Sequence, residues 1–340
     1  MTIPYRTAHT IKRTSVILLA LALVAALVWG LWFLWLGRFV VYTRDNGAVF
    51  NFNQSPEFDA GELAVRPEQS GSVSIYFNEG ENAINTSTEL LQMTGYYVDT
   101  DTLSKGIADV RTQLQALPAG TPVMIDVKSI YGNFFYSSTA SDKRASGIDI
   151  AAMDELITFM DSKGLYAIAR LPALRDYYYG LHHVPDGLPT KGGYLWTDDD
   201  YCYWLNPASQ GTVTYLINII TELKNLGFDE VVLYDFYFPD TNEIVFKGDK
   251  AQTLNAAAKT LVDTCATKNF AVSFVKQAAE FVLPEGRSRL YMEGVAAGSA
   301  ASIAQQSGLA NPAVNLVFLT EVHDTRFDAF SVLRPLSAAH

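Results

Sequence analysis

DIAAMDELITFMDSKGLYAIARL, residues 149–171, holds one complete passage from helix to strand. Asp149 stands where a helix N-cap is expected. Ile150, Met153, Leu156, Ile157 and Met160 then recur at helical spacing on a single face. Gly164 closes the helix as a C-cap glycine does, and YAIARL at 166–171 follows as a strand. The same unit recurs on both sides. Strand patterns read YYVD at 96–99, VMIDVK at 123–128, VVLYDFYF at 231–238, AVSFV at 271–275, RLYMEG at 289–294 and NLVFLTEV at 315–322. Helical patterns lie between them. Residues 102–116 open from a Thr cap and carry Leu103, Ile107, Val110, Leu114 and Leu117; further patterns cover 208–226, 249–268 and an Ala-rich 297–308. Strands alternating with helices imply βαβ units and a parallel sheet. Seven or more strands over 91–340 predict a (β/α)8 TIM-like barrel rather than a doubly wound sheet. No Gly-rich phosphate loop follows the first strand, which argues against nucleotide binding.

Upstream the texture changes. Between Arg13 and Arg38 run 24 residues without a charge, enough to span a bilayer as a helix, which takes about 20. Arg6, Lys12 and Arg13 precede the run, while Trp32, Trp35 and Tyr42 crowd its far end. By the positive-inside rule the N-terminus is cytoplasmic. The expected layout is a cytoplasmic tail at 1–14, an uncleaved transmembrane signal anchor at 15–37, a β-rich stalk at 38–90 that lends an edge strand or two, and an extracytoplasmic barrel. A cleaved secretory signal is the competing reading, but bulky apolar residues continue through Leu36 with no small-residue exit site. Residues beyond 44 carry 20 basic against 36 acidic groups, a formal charge of −16. Such a surface is ill suited to nucleic acid, whose binding rests on neutralising phosphates. Cys202 and Cys265 make no disulfide framework, no Cys/His spacing suggests zinc, and neither a metal nor a cofactor is expected.

Charged residues gather at strand ends, where barrel active sites form. VMIDVK ends in Asp126 and Lys128, AIAR in Arg170, and the later strands carry Asp235, Glu293 and Glu321. Carboxylates at one barrel mouth suit glycoside hydrolysis, in which one protonates the leaving oxygen and another attacks or activates water. For each carboxylate the plain alternative is a structural ion pair with Lys128 or Arg170, or a loop residue simply facing solvent. The long stretch 173–203 is rich in aromatics, Tyr178 and Trp196 among them, that suit either stacking on sugar rings or packing on the barrel rim. TDDDY at 197–201 lacks the Gly and distal Glu of an EF-hand loop and reads as a solvated turn.

PVMIDVKSIYGNFFYSS, LYAIARLPALRD, YWLNP and LGFDEVVLYDFYFP, in that order, resemble the signature blocks of the Putative glycosyl hydrolase domain family. The resemblance implies a TIM barrel and a glycosidase-like activity. Ile125–Lys128 match the family's Ile-Asp-Val-Lys block, and Ala169, Arg170 and Asp176 its Ala-Arg run with a following Asp. Trp204–Pro207 match a Trp-Leu-Asp-Pro block, with Asn206 replacing the Asp. On the fourth strand the family places Asp five residues before the terminal Pro and Arg two before it. This chain has Tyr234, Asp235 and Tyr237 ahead of Pro239, so the Asp comes one residue late and the Arg is absent. By strand order the resemblance implies Asp235 and Glu321 as the catalytic pair. Asp126, Lys128, Arg170, Asp176, Tyr178, Trp196, Tyr237 and Glu293 would then position a carbohydrate or cell-envelope glycan. A non-catalytic glycan binder on the same barrel, or a membrane-tethered scaffold, are the other expectations.

Overall fold

The computed structural model describes residues 40–43, 47–50, 89–321 and 323–336. Two compact units divide the chain, Met1–Glu79 and Gly80–His340. In the first, Val40–Thr43 and Gly47–Phe50 pair as an antiparallel ribbon. The expected anchor at 15–37 and most of the expected stalk at 38–90 lie outside the described residues. Among the described residues, no helix is long and apolar enough to cross a membrane. Those two strands pair with each other, and the barrel strands close into a ring of their own.

The second unit contains eight parallel strands in a closed ring: β1 (Thr94–Val98), β2 (Pro122–Asp126), β3 (Tyr166–Pro172), β4 (Glu230–Tyr234), β5 (Ala271–Val275), β6 (Leu290–Glu293), β7 (Leu316–Leu319) and β8 (Ser331–Pro335). β8 pairs with both β7 and β1 to complete the circle. Helices connect the strands: α1 (Thr100–Lys105) and α2 (Ile107–Ala116), α3 (Ile150–Ser162), α4 (Tyr177–His182), α5 (Gln210–Asn225), α6 (Lys250–Cys265), α7 (Ala300–Gln306) and α8 (Pro312–Asn315). Asp149, Ser209 and Asp249 cap α3, α5 and α6 with their side-chain oxygens. The single helix expected from 102 begins at Thr100 instead. Asp99 rather than a Thr caps it, and it breaks at Gly106 into α1 and α2.

Strand side chains alternate between two cores, as the period of two requires. Met124, Ile168, Val232, Val275, Tyr291, Val317 and Leu333 point inward and fill the barrel. Their outward neighbours, such as Ile125, Ala169, Val231 and Phe318, pack against the helices. The N-terminal end of the barrel is closed by a polar floor. Glu230, fully buried at the start of β4, pairs with Arg289 and accepts hydrogen bonds from Tyr166, Ser273 and Tyr291. An ionised group so deep persists only when fully paired, and here both carboxylate oxygens are engaged.

Candidate active site at the barrel mouth

The register of β2 against β3 sets Asp126 directly beside Arg170 at the C-terminal end of the barrel. Arg170 is the hub. Its Nη1 donates to Asp126 Oδ1 at 2.9 Å, and its Nη2 reaches across the mouth to Glu293 Oε1 at 2.9 Å. The guanidinium lies over the Tyr234 ring, 4.2 Å from its centroid. Burial alone would lower the Arg170 pKa; the Asp126 and Glu293 carboxylates outweigh it and hold the guanidinium charged. Both Asp126 oxygens are engaged, because its Oδ2 also accepts from Thr100 N and Oγ1 at 3.0 and 2.8 Å. It is a support for Arg170, poorly placed to react. Glu293 keeps Oε2 unengaged among the described residues.

Above this hub opens a cavity of about 620 Å3 lined by Tyr97, Asp99, Asp126, Arg170, Glu293, Glu321 and Asp324, with Met124, Leu319 and Phe327 as its apolar wall. Glu321, two residues beyond β7, is exposed, and no hydrogen bond or ion pair holds it among the described residues. Tyr97, on β1, stands among these acids. Burial raises its phenol pKa, and the charges of Glu321, Asp99 and Glu293 raise it further, so it remains a hydrogen-bond donor. Tyr97, Asp99 and Asp324 were not singled out from sequence. Tyr97 and Asp99 fall in the YYVD strand pattern there, and the structure shows Asp99 and Asp324 capping short helices.

Asp235 does not line this cavity. β4 ends at Tyr234, and Asp235 takes a left-handed backbone, φ 51°. That conformation is uncommon outside glycine, though Asp tolerates it better than most. Its N–H donates to Gln277 Oε1 at 2.6 Å, and its Oδ1 accepts from Gln277 Nε2 at 3.2 Å. Burial pushes its carboxyl above the usual range, against the opposing Gln277 hydrogen bond and the charges of Arg175 and Arg170. Tyr234 thus takes the inward position, and Phe236 joins the outer core against Phe274 and Phe281. Tyr237 is half-buried, its ring edge-on to Trp204.

Lys128 and Asp176 are also drawn away from the mouth, into a buried ion pair of 2.7 Å with both side chains 0% exposed. Asp176 further caps α4 at Tyr179 N and accepts from Tyr215 OH. In the long loop, Tyr178 is half-buried, its hydroxyl on Asp142 and its ring against His182. Trp196 donates its indole N–H to Glu243 and packs on the core. The acidic turn at 197–201 exposes Asp199, Asp200 and Tyr201 to solvent, while Asp198 and Asp200 grip Arg175 and Asp198 also accepts from Trp204. Cys202 and Cys265 are buried free thiols, and burial pushes Cys202 up to about 12. Among the described residues no cluster of His, Cys, Asp and Glu is arranged to hold a metal.

A closed parallel (β/α)8 barrel with acids and an arginine gathered at its C-terminal mouth belongs to the TIM-barrel class. Residues 96–287, more than half of the chain, match the family described as Putative glycosyl hydrolase domain. The chain belongs to that family. No curated protein is detectably similar. Among solved structures, it is similar to a hypothetical protein from Ruminiclostridium thermocellum at 18% identity, covering 53% of this chain and 96% of that one, with a TM-score of 0.45. The glycoside hydrolase domain of PelA from Pseudomonas aeruginosa matches at 11% identity over 73% of this chain and 96% of that one, TM-score 0.44. An exo-β-N-acetylglucosaminidase from Vibrio harveyi matches at 9% identity over 67% of this chain but 40% of its own length, TM-score 0.44.

Proposed function

We propose that the protein is a glycoside hydrolase that takes a carbohydrate, such as a cell-envelope glycan, into the cavity at the barrel mouth. In this reading the anchor at 15–37 tethers the chain to the membrane, and the barrel works outside the cytoplasm. What carries it is the 620 Å3 cavity in which Glu293 and Glu321 meet Arg170 and Tyr97. Hydrolysis needs one carboxyl group to protonate the leaving oxygen and another to attack the sugar or activate water. Glu293 and Glu321 divide those roles, since each carries an oxygen unengaged among the described residues. Arg170, itself fixed by Asp126, orients Glu293, while the Tyr97 hydroxyl donates to the sugar.

Glu293→Gln and Glu321→Gln should each cut hydrolysis of a panel of aryl glycosides by about 10²–10⁴, the usual cost of losing a general acid or base. Asp235→Asn should cost less than about tenfold. A large loss in Asp235→Asn with none in Glu293→Gln would return the partnership to Asp235 and Glu321, a reading favoured by the raised pKa of Asp235. The glycan-binder alternative is favoured by Tyr234 and Tyr237 standing where the family pattern has Asp and Arg. Its signature is glycan binding with no cleavage across the panel.

A further inference from the structure

The loops after β2 and β3 carry tyrosines that neither the barrel core nor the mouth cavity uses. Tyr177 and Tyr203 stack with ring centroids 5.5 Å apart and planes inclined by only 19°. Tyr177 is 37% exposed, and Tyr131 on the neighbouring loop is 46% exposed. Backbone bonds hold these segments together: Tyr177 N donates to Ile130 O, and Asp176 N donates to Tyr203 O, both at 3.0 Å. Tyr201, two residues from Tyr203, is 77% exposed and sits at φ 59°, a left-handed conformation that a bulky residue seldom adopts. Its turn is over-determined. Asp198 accepts from the backbone of Tyr201, Asp200 and Cys202, and Arg175 clamps both aspartates from below. A bulky side chain held outward on a strained backbone by a dedicated ion-pair clamp signals a use for that side chain.

We propose that Tyr177, Tyr203 and Tyr201, with Tyr131 beside them, form an accessory platform on which a neutral or cationic polysaccharide chain lies before its reacting unit enters the mouth. The identity of the occupant as a polysaccharide rests on the function proposed above. Three observations select it. Tyrosine rings offer flat, amphipathic faces that suit sugar rings. Asp199 and Asp200 stand exposed beside Tyr201, so phosphates and anionic headgroups are repelled. Tyr177 follows Arg170 of the cavity by seven positions, at most roughly 25 Å of chain. The buried Lys128–Asp176 pair fixes the two platform loops to each other.

The test uses the full-length protein and three insoluble probes: chitin, cellulose and chitosan. Tyr177→Ala and Tyr203→Ala should each weaken retention on the bound polymer by roughly 3- to 10-fold, as the loss of an aromatic contact predicts. Tyr201→Gly is the sharper variant. Glycine adopts that backbone freely, so the melting temperature should hold or rise while retention falls. Hydrolysis of small aryl glycosides should be unchanged in all three variants. Retention unaltered in both Tyr201→Gly and Tyr177→Ala overturns the platform, whatever the glycoside assay gives. So does a wild-type protein that binds none of the three polymers yet sediments with phosphatidylglycerol vesicles. A protein inert on all aryl glycosides but retained through these tyrosines removes the hydrolase and leaves the platform standing.

Discussion

Lys128 and Asp126 are two apart, and in a continuing strand they would share a face. β2 stops at Asp126, so Lys128 belongs to the loop and turns instead into the buried pair with Asp176. Asp126, Arg170, Glu293 and Glu321 read as charges at strand ends, and all four line the mouth. Lys128 and Asp235 read the same way but turn elsewhere, because past a strand end alternation no longer governs direction. Lys128→Met should destabilise the barrel by about 3–5 kcal/mol, since it leaves Asp176 buried and uncompensated. Lys128→Met combined with Asp176→Asn should lose less than the single change, because Asn keeps the cap without the charge; chemical denaturation of the two proteins measures the difference. Asp229 offers a pH test. Burial raises its carboxyl from 3.8 to about 6, although it accepts a hydrogen bond from Ala167 N. Its contribution is therefore full below the unfolded value near 3.8 and is lost as pH climbs through about 6. The wild-type melting temperature, taken relative to Asp229→Asn, should fall between pH 4 and 6.5 and then level off. A rise over that window would contradict the assignment.

At the scale of elements, seven of the eight strands were visible as short β-rich runs flanked by helical periodicity. β8, SVLRP, escaped because only Val332 and Leu333 are apolar in sequence, while its inward Ser331 bonds the backbone carbonyls of Ala313 and Val314 and the N–H of Met93. Tertiary context, not local pattern, makes it a strand. α1 and α2 read as one helix because their apolar spacing runs straight through Gly106. Gly95 on β1 shows how tightly neighbouring strands meet: a Cβ there would stand 2.2 Å from Pro122 O and 2.7 Å from Pro122 Cβ on β2. The obstacle includes backbone, which cannot swing aside. Gly95→Ala should cost about 1–3 kcal/mol in thermal or denaturant unfolding. Gly147→Ala, with nothing within 4 Å of the added carbon, should stay within about 0.5 kcal/mol.

For the whole molecule, closure is the governing fact. β8 is hydrogen-bonded to β7 on one side and β1 on the other, so the first and last strands of the barrel are neighbours. Ending the chain at residue 329 would strip one strand and bare two long edges on β1 and β7. The shortened protein should lose its cooperative thermal transition and bind a hydrophobic dye, whereas a change confined to the mouth, such as Glu321→Gln, should do neither. The packed interior has a further consequence for traffic. Inward apolar side chains fill the middle of the barrel, and the Glu230–Arg289 floor seals its far end, so the mouth is a vestibule with one door. No polymer can thread through it. Under the proposed hydrolysis, a glycan must present a free terminus or lie across the opening, and each released sugar would depart by the route the next must take. Turnover in such a cul-de-sac should slow as product accumulates, and dilution should restore it.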